Sequence, residues 1–387
     1  MTTEVRVLDP AEWDPWYDTL ERAFGGEDPA ERGLWNELTE HDRSLGVWDG
    51  DDLVGTAGAF SFQMTVPGGS LVPVAGVTMV SVAATHRRRG LLTAMMRRQL
   101  DDVRSRGEAL AVLTASEPAI YGRFGYGIAS FELCLTIDTS RVRVSVPEGG
   151  EAVRLRYASP VEVGDACEAV YAELVPQRPG LLARRPGSGW QRLPLLDTPG
   201  DRQGGSPLQC VLAERAGDVV GYARFHIKPG WDMSGPNGTV LLRDLDALDP
   251  AAYGALWRFV CSIDLTSSVV ARRRPVDDPV QHLVSDVRRC QVRVRDMLHA
   301  RLVDVGAALQ ARAYRAPVDV VFAVADTFCP WNAGRWRLTA QPGKGARCER
   351  TGDAAQLALG VQELGAAYLG GCTLTSLAAA VRVRELR

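Results

Sequence analysis

Lysine is nearly absent from this 387-residue chain: of its 44 basic residues, only Lys228 and Lys344 are lysines. Acidic residues number 47, so the formal net charge is -3, and the chain lacks the positive excess typical of nucleic-acid-binding proteins. Nor does any apolar run reach the ~20 residues that a transmembrane helix requires. The composition therefore predicts neither a nucleic-acid partner nor a membrane partner.

Cysteine is also scarce, and its eight residues stand singly, with no C-x-x-C pair. This spacing lacks the usual zinc-ligand patterns and argues against a disulfide framework, so no metal site is expected. The residues after Met1 are polar and acidic, without the basic-then-apolar order of a secretory signal. The sequence therefore predicts a cytoplasmic protein with reduced thiols. Secretion by an unconventional route would leave no trace in these patterns.

The chain is too long for one hydrophobic core and predicts two or three domains. A Pro/Gly break at 145–150 marks the first boundary, and the strand 131–137 before it is expected to close the first domain. Arg272-Arg273-Arg274-Pro275 follows no buried strand and predicts a linker near the second boundary. The predicted domains are 1–147, 148–285 and 286–387.

The most informative stretch is residues 77–99, V-T-M-V-S-V-A-A-T-H-R-R-R-G-L-L-T-A-M-M-R-R-Q. Val77–Val82 is an apolar, β-branched run typical of a buried strand, and apolar residues recur at helical spacing from Leu92 to Val103. The intervening turn would leave first-turn N–H groups unpaired at the positive end of the helix dipole. Gly90 lets the backbone approach a ligand closely, and arginines bind phosphate oxygens. We predict an anion site, with a merely solvated basic helix start as the alternative.

A second unusual stretch follows Ala109–Ala115, a continuous apolar run that predicts a buried central strand. It begins with Ser116-Glu117 and continues at 120–127 as I-Y-G-R-F-G-Y-G. Three glycines among aromatic residues predict a sharp, closely packed turn. Packing alone would account for Phe124 in this turn.

These two stretches resemble the Eis-like (enhanced intracellular survival) branch of the GNAT-superfamily N-acetyltransferases. Arg87-Arg88-Arg89-Gly90-Leu91-Leu92 is similar to the acyl-CoA pyrophosphate loop R/Q-x-x-G-x-G/A of the superfamily. Leu92 departs from the usual small last residue, but T-H-R-R-R-G-L-L is the form of the Eis-like loop, and S-E with I-Y-G-R-F-G-Y-G also occurs in that branch. The Walker pattern and G-x-G-x-x-G are both missing, which excludes P-loop and Rossmann phosphate sites.

The resemblance implies an α/β (α+β) fold class with two GNAT-type domains, the second degenerate, followed by a sterol-carrier-protein-like α/β domain. Residues 1–147 would form the catalytic domain with the acetyl-CoA site. In residues 148–285, no Arg-x-x-Gly loop joins the strand that ends at Asp244-Leu245-Asp246 to the helix after it, so this domain would have lost that site. In 286–387, Phe328–Trp336 resembles the third domain of the family, although the fold analogy does not imply sterol binding. The pattern there also predicts a helix at Ala354–Leu359.

The function implied by the resemblance is acetyl transfer from acetyl-CoA, as cosubstrate, to a primary amine of a cationic acceptor, either an aminoglycoside-type polyamine or a lysine side chain. Tyr121 would be the general acid. Phe24, Trp35 and Met79 would line the acceptor pocket, although plain core residues would look the same. Of the many acidic residues before position 43, most are expected on solvated helix faces, and a few would line an acidic mouth that attracts a cationic substrate. Acetyl-CoA would be bound by Val80, Ser81, Val82, Arg88, Arg89, Gly90, Leu91, Leu92, Thr93, Ser116 and Glu117.

The family assembles as hexamers, so a homo-oligomer is expected. Its members use the C-terminal carboxylate as the base, usually on a terminal phenylalanine, whereas this sequence stops at Arg387. A guanidinium is unfavourable in a pocket for a cationic amine. We therefore expect the natural protein to extend about 15–25 residues further, within the length of one more short helix and tail. Without that tail, Glu117 or a water relay is the alternative base.

Two other functions stay open from the sequence. One is an acyl-CoA-binding sensor or scaffold without turnover, which Leu92 and a missing base would allow. The other is a lipid- or protein-binding module built around the sterol-carrier-like domain. The sequence does not choose the physiological acceptor among aminoglycosides, protein lysines and other polyamines.

Overall fold

The computed structural model describes residues 3–26 and 28–386. The strands, in chain order, are β1 (Glu4–Val7), β2 (Leu45–Asp49), β3 (Asp52–Thr65), β4 (Leu71–Val82), β5 (Leu110–Thr114), β6 (Gly127–Ile128), β7 (Phe131–Asp138), β8 (Arg154–Ala158), β9 (Leu182–Ala183), β10 (Gln209–Arg215), β11 (Asp218–Lys228), β12 (Trp231–Asp232), β13 (Gly235–Pro236), β14 (Gly238–Ala247), β15 (Thr266–Pro275), β16 (Arg293–Asp296), β17 (Leu298–Leu302), β18 (Val318–Ala325), β19 (Gly334–Ala340), β20 (Ala346–Arg350), β21 (Leu357–Gly360) and β22 (Val383–Glu385).

The α-helices are α1 (Trp13–Phe24), α2 (Pro29–Leu38), α3 (Leu91–Ser105), α4 (Gly164–Leu174), α5 (Pro199–Arg202), α6 (Pro250–Val260), α7 (Val280–Leu283), α8 (Val305–Gln310), α9 (Val361–Ala367) and α10 (Leu374–Ala379). The longest of them, α3, has 15 residues. None of the described helices has both the length and the apolar character needed to cross a bilayer.

These elements form two compact units, neither of which is continuous in sequence. The first contains Met1–Ser130, Pro176–Ala183 and Asp296–Arg387, and the second contains Phe131–Val175 and Arg184–Arg295. Chain segments far apart in sequence therefore share one core. The predicted domain limits at 147 and 285 stay a prediction. The two units are defined by compactness in space, whereas the predicted domains are consecutive stretches of sequence.

The first unit contains two sheets. One has the strand order β1-β2-β3-β4-β5-β17-β6, in which β4 and β5 are parallel and β17 is antiparallel to β5; the other has the order β20-β19-β18-β21-β22. Helix α3 buries Met95, Met96 and Leu100 against the first sheet, in a core that includes Val77 and Leu113. Apolar residues at helical spacing thus hold α3 on the sheet that carries β4 and β5.

The second unit contains a seven-stranded sheet of order β16-β7-β15-β14-β11-β10-β8, with β14 and β15 parallel. Helix α6 begins at Pro250 behind Asp249, whose side chain accepts hydrogen bonds from two first-turn N–H groups. The helix buries Leu256 and Trp257 in the core of this sheet. The unit is therefore a second strand-and-helix layer with its own core.

The partner of one strand differs from the expectation. The strand 131–137 does not close the first sheet: β7 pairs antiparallel with β15 in the second unit. In the first sheet, β17 lies between β5 and β6 and pairs with both. The alternating pattern of Phe131–Asp138 indicates a strand. It does not indicate which strand pairs with it, because the same alternation would suit a place in either sheet.

Two local predictions are also wrong. The segment Arg272–Pro275 is not a linker but the end of β15, where a register shift after Ala271 turns Arg274 inward. The Nε of Arg274 donates to the buried Asp278 carboxylate at 2.7 Å, so the arginine run hides a structural ion pair. In the C-terminal part, the predicted helix Ala354–Leu359 is not formed, and its last three residues belong to β21, which pairs parallel with β18.

Candidate functional site

Strand β4 bends at a bulge just before its last residues. Met79 has a φ of +52°, and the register between β3 and β4 shifts between Thr56 and Gly58. The Thr56 hydroxyl donates to the Met79 carbonyl at 2.7 Å, and so accepts the hydroxyl proton of Ser81, whose Oγ lies 2.7 Å away. This pair of hydroxyls fixes the strand end Val80–Val82.

The bulge separates β4 from β5. The two strands pair only from Val74–Gly76 to Leu110–Val112, although β4 continues to Val82. In the part of the chain that the structure describes, the β5-facing backbone groups of Val80–Val82 have no strand partner. Unpaired backbone donors and acceptors need partners, so this edge is suited to an extended ligand with amide groups.

The Arg/Gly turn after β4 delivers helix α3 with an open N-terminus. Gly90 precedes the helix with a φ of +83°, a region that favours glycine, and no side chain caps it. The first helical hydrogen bond runs from Ala94 N–H to the Gly90 carbonyl at 3.0 Å. The N–H groups of Leu91, Leu92 and Thr93 have no acceptor among residues 3–26 and 28–386. Such a helix start attracts an anion.

The arginines of this turn differ in what they face. Arg87 and Arg88 are exposed and line the space in front of the helix start, and Arg88 has a positive φ of +63°. Arg89 lies outside this lining and donates to the Thr85 carbonyl at 3.1 Å. Two guanidinium groups are thus positioned for an anion, and the third closes the turn itself.

A histidine that the sequence analysis did not select also lies in the turn. His86 lines the same space, and its Nε2 lies 3.1 Å from the Asp49 carboxylate while Nδ1 lies 2.8 Å from the Thr85 hydroxyl. Asp49 is the last residue of β2, far from His86 in sequence. No local sequence pattern could therefore have indicated that these two residues pair. These contacts anchor the turn to the sheet.

Tyr121 lies in a 3₁₀ turn, Tyr121–Phe124, after β5. Its ring packs edge-on against that of Tyr126, with centroids 5.9 Å apart. Burial, and then the nearby Glu117 carboxylate, raise the pKa of Tyr121 above its usual value of 10.0, because both disfavour the phenolate. The side chain is therefore a phenol at neutral pH, with a proton to donate.

The glycines of this turn allow it to pack directly on helix α9. A methyl group at Gly127 would overlap the Gln362 carbonyl, and one at Gly122 would lie 2.8 Å from the Gln362 side-chain amide. Gly125 has a φ of +86°, and a methyl group there would lie 2.8 Å from the Arg301 Nε. The close approach explains the predicted dense turn and shows that the C-terminal part holds Tyr121 in place.

These pieces enclose a single cleft with a volume of about 540 Å³. Trp35, Met79 and Arg89 do not line it. The predicted site residues that do line it are Phe24, Val80, Ser81, Val82, Arg88, Gly90, Leu91, Leu92, Thr93, Ser116, Glu117 and Tyr121. Residues distant in sequence, from the end of α1 to the turn after β5, therefore meet at one place.

The two predicted pocket residues outside the cleft have packing roles instead. Trp35 and Met79 contact the apolar cluster of α1, which includes Trp16. The Trp35 ring stacks on Phe60 with centroids 6.5 Å apart, and its Nε1 donates to Glu31. Phe24, by contrast, is 57% exposed at the mouth of the cleft.

The charged side chains that line the cleft are mostly basic, and they do not form the acidic mouth that the sequence predicts. Glu117 is the only carboxylate in the described lining, against Arg87, Arg88 and Arg123. Asp14 and Asp18 of α1 pair instead with Arg32, at 2.7 and 2.9 Å. The described residues also contain no cluster of three or more His, Cys, Asp or Glu side chains that could hold a metal. Arg387 lies outside the described residues.

Comparisons with family models match three stretches of the chain. Residues 4–129 and 180–302 each match a model described as an acetyltransferase (GNAT) domain, and residues 305–386 match a sterol carrier protein domain. The first match contains the whole cleft described above. The second and third matches lie outside the Arg/Gly turn that follows β4.

Comparisons with whole proteins extend over nearly the full chain. An uncharacterized N-acetyltransferase of Streptomyces avermitilis is 69% identical over 389 residues, covering 100% of this chain and 94% of the relative. The N-acetyltransferase Eis of Mycobacterium tuberculosis is 34% identical over 368 residues, covering 92% and 86%. Among solved structures, Eis1 of Mycobacterium abscessus has a TM-score of 0.83 at 36% identity, covering 100% and 94%.

Proposed function

Because the chain belongs to the Eis-type GNAT acetyltransferases, we propose that it transfers the acetyl group of acetyl-CoA to a primary amine of a cationic acceptor. The acceptor class is an aminoglycoside-type polyamine or a lysine side chain. The observation that carries this proposal is the cleft at which the splayed strand β4, the Arg/Gly turn and Tyr121 converge. Each of the three suits a different part of the reaction.

The helix start suits the pyrophosphate of acetyl-CoA. Three unpaired N–H groups, of Leu91, Leu92 and Thr93, lie at the positive end of α3, and Arg88 adds a guanidinium from the same turn. Gly90 has no atom within 4 Å of the position where a Cβ would stand, so the backbone is open to a close ligand. These donors fit a doubly charged diphosphate group.

The open edge of β4 suits the pantetheine arm, whose amides can pair with Val80–Val82 as an added strand would. A backbone N–H at this strand end would also stabilise the oxyanion that forms as the amine attacks the thioester carbonyl. Ser116 and Glu117, just after β5, also line the cleft. The thioester would then lie near Tyr121.

The reaction makes one C–N bond and breaks one C–S bond. A primary amine with a pKa near ~10 is only about 0.1% neutral at pH 7, so its proton must leave to a base or a water relay. The thiolate leaves with a pKa near ~8.5 and takes a proton from Tyr121. In the described chain the base is Glu117 or water, and a C-terminal carboxylate is the base implied by the family.

The direct test is release of CoA thiol from acetyl-CoA, measured with a trapping reagent, in the presence of a polyamine acceptor and with mass spectrometry of the products. Acceptor-dependent thiol release with a 42-Da gain on the acceptor, the mass of an acetyl group replacing a proton, is the expected result. Binding of acetyl-CoA without turnover for any amine would favour an acyl-CoA sensor. Hexamer formation and cytoplasmic location belong to the same proposal, and sedimentation and fractionation measure them.

Arg88 provides a test of the cofactor end of the cleft. We expect Arg88→Ala to weaken acetyl-CoA binding roughly 10- to 100-fold, since it removes a charge-assisted contact to phosphate. Arg89→Ala is the matched control, because the Arg89 side chain is turned to the Thr85 carbonyl. Calorimetry that shows equal losses in the two variants, or none in Arg88→Ala, would remove the pyrophosphate from this turn.

Glu117 provides a test through pH. Tyr121 acts in its protonated form, so the rate should fall as pH rises through its pKa, which lies above 10.0 because of burial and of Glu117. Glu117→Gln removes the like charge, so it should move this alkaline limb of kcat to lower pH. In a Tyr121→Phe background this limb should be absent, and Glu117→Gln should not change the alkaline part of the profile. A limb that stays fixed in the single variant would separate Glu117 from Tyr121.

A further inference from the structure

Strand β16 forms one edge of the seven-stranded sheet in the second unit. It pairs with β7, and in the part of the chain that the structure describes no strand lies on its other side. Arg293, Val294 and Arg295 are all exposed, the apolar Val294 at 65%, so both faces of β16 are open as well. Backbone N–H and C=O groups along such an edge can pair with another extended chain.

Exposed arginines lie on and around this edge. Two are in β16, two are near the end of β15 on the far side of β7, and one is in the 3₁₀ turn Val287–Cys290 that precedes β16. None of them pairs with a carboxylate of the described chain. They are Arg272, Arg273, Arg288, Arg293 and Arg295. This part of the sheet therefore presents several guanidinium groups that are available to a ligand.

Arg272 and Arg295 approach the same residue of β7 from the two neighbouring strands. The register shift near the end of β15 places Arg272 beside Cys134 of β7. Burial, and then Glu132, raise the pKa of the Cys134 thiol above its usual value, and the charges of Arg272 and Arg295 oppose that rise. Because both guanidinium groups act on one thiol, the positive charges of β15 and β16 belong to one continuous surface.

The carboxylates on these strands do not neutralise that surface. Glu132 of β7 is only 6% exposed, so its carboxylate lies inside. The others already have basic partners, in the pairs Asp138–Arg141, Asp286–Arg289 and Asp296–His299. The edge is therefore strongly positive, in a chain whose formal net charge is -3. Such a patch attracts acidic partners and repels basic ones.

We propose that this edge binds an extended acidic segment of a partner protein, which adds to β16 as a further strand. Side chains alternate along a strand, so Arg293 and Arg295 share one face. An acidic residue at every second position of the added strand meets both arginines, and cross-strand pairs of opposite charge stabilise such pairing. Charged edges also discourage pairing with uncharged strands, which makes the edge selective for an acidic one.

The proposal does not depend on the proposed acetyl transfer, because none of these residues lines the acetyl-CoA cleft. Its test uses the full chain and a fluorescent octapeptide of alternating Glu and Thr, with binding measured by fluorescence anisotropy. We expect saturable binding that weakens as salt is added, because salt screens exposed charges. An octapeptide of alternating Lys and Thr should not bind.

A methylated probe separates strand pairing from simple charge attraction. The Glu/Thr octapeptide methylated on every second backbone nitrogen keeps its charge but loses the N–H groups that would face β16. We expect its affinity to be at least ~10-fold lower than that of the unmethylated probe. A single-stranded oligodeoxythymidylate with the same number of charges should also bind more weakly than the unmethylated peptide.

Charge reversal tests the two arginines of β16. The double replacement Arg293→Glu with Arg295→Glu should weaken binding of the Glu/Thr peptide at least ~10-fold and create binding of the Lys/Thr peptide. Arg347→Glu is the matched control, because Arg347 lies on β20, the edge of another sheet, and pairs with Glu349. This control should leave the affinities for both peptides unchanged.

Hydrogen exchange in the wild-type chain gives a readout that needs no variant. The Glu/Thr peptide should slow amide exchange in residues 293–295, because an added strand protects the edge. No protection there, equal affinity for the methylated peptide, or equal affinity for the oligonucleotide would each overturn the proposal. Unchanged binding of the Glu/Thr peptide by the charge-reversed variant would overturn it too.

Discussion

Replacing Tyr121 by phenylalanine should lower kcat by roughly 10²–10⁴, the usual contribution of a positioned general acid. The ring and its edge-on contact with Tyr126 remain, and the lost hydroxyl makes no hydrogen bond within the described part of the chain. Thermal stability and acetyl-CoA affinity should therefore stay near wild type. Steady-state kinetics with a polyamine acceptor, alongside a melting curve, measures both effects.

Tyr126→Phe is the matched control for this experiment. The Tyr126 ring is the other half of the same pair, but its hydroxyl is buried and has no hydrogen-bond partner among the described residues, and burial raises its pKa far above the usual value. Removing an unsatisfied buried hydroxyl should leave kcat and stability close to wild type. If both variants keep full turnover, Tyr121 is a packing residue. If both lose it, the pair acts through its geometry and Tyr121 is not the acid.

The raised pKa of Tyr121 both favours and limits its proposed role. At its ordinary pKa of 10.0, the phenol lies ~1.5 pKa units above a leaving thiol, an uphill proton transfer of about 2 kcal/mol. Burial and Glu117 enlarge that step but keep the proton in place at neutral pH. The sulfur becomes basic only as the C–S bond breaks, so Tyr121 must give up its proton as the thiolate forms, against this uphill step.

The fold class predicted from the sequence, two GNAT-type domains followed by a sterol-carrier-like domain, is confirmed by the matches over 4–129, 180–302 and 305–386. Periodicity located β4 and α3 because each buries one regular apolar pattern on a local element. The motif residues after them meet in one cleft because loops at the ends of β4 and β5 meet at the same edge of the sheet. Local chemistry thus defined most of the cleft.

Sequence reasoning could not find what depends on distant partners. Strand β17 pairs with β5, and nothing in the sequence of its five residues indicates that β5 is its partner. His86 gained significance only from Asp49, which lies 37 positions earlier. Trp35 and Met79 share the aromatic and apolar character of a pocket wall, but the burial that distinguishes core from pocket is a property of the fold.

A buried ion pair between Arg301 of β17 and Asp326, just after β18, lies beside the turn that carries Tyr121. Arg301 and Asp326 are almost wholly buried, with Nη2 2.9 and 2.7 Å from the two carboxylate oxygens. Asp326 also accepts from the Cys329 N–H at 2.9 Å and from the Asn332 amide at 3.1 Å. Gly125, in the turn that carries Tyr121, packs directly against this guanidinium: a methyl group at Gly125 would lie 2.8 Å from the Arg301 Nε. The ion pair therefore packs against the turn and helps to hold Tyr121 in position.

Asp326→Ala should lower the free energy of unfolding by about 3–5 kcal/mol, because it leaves the Arg301 charge buried without a carboxylate, with only the Leu302 carbonyl still accepting from its Nη1. Urea denaturation measures the loss, and Asp319→Ala is the control: Asp319 pairs with Arg337 on the surface, so its removal should leave the midpoint near wild type. The double replacement Arg301→Met with Asp326→Leu should recover much of the loss, since no charge is then buried. A small loss in Asp326→Ala, or no recovery in the double variant, would mean that water or rearrangement solvates Arg301. In the destabilised single variant kcat should fall as well, because the turn that positions Tyr121 rests on this guanidinium.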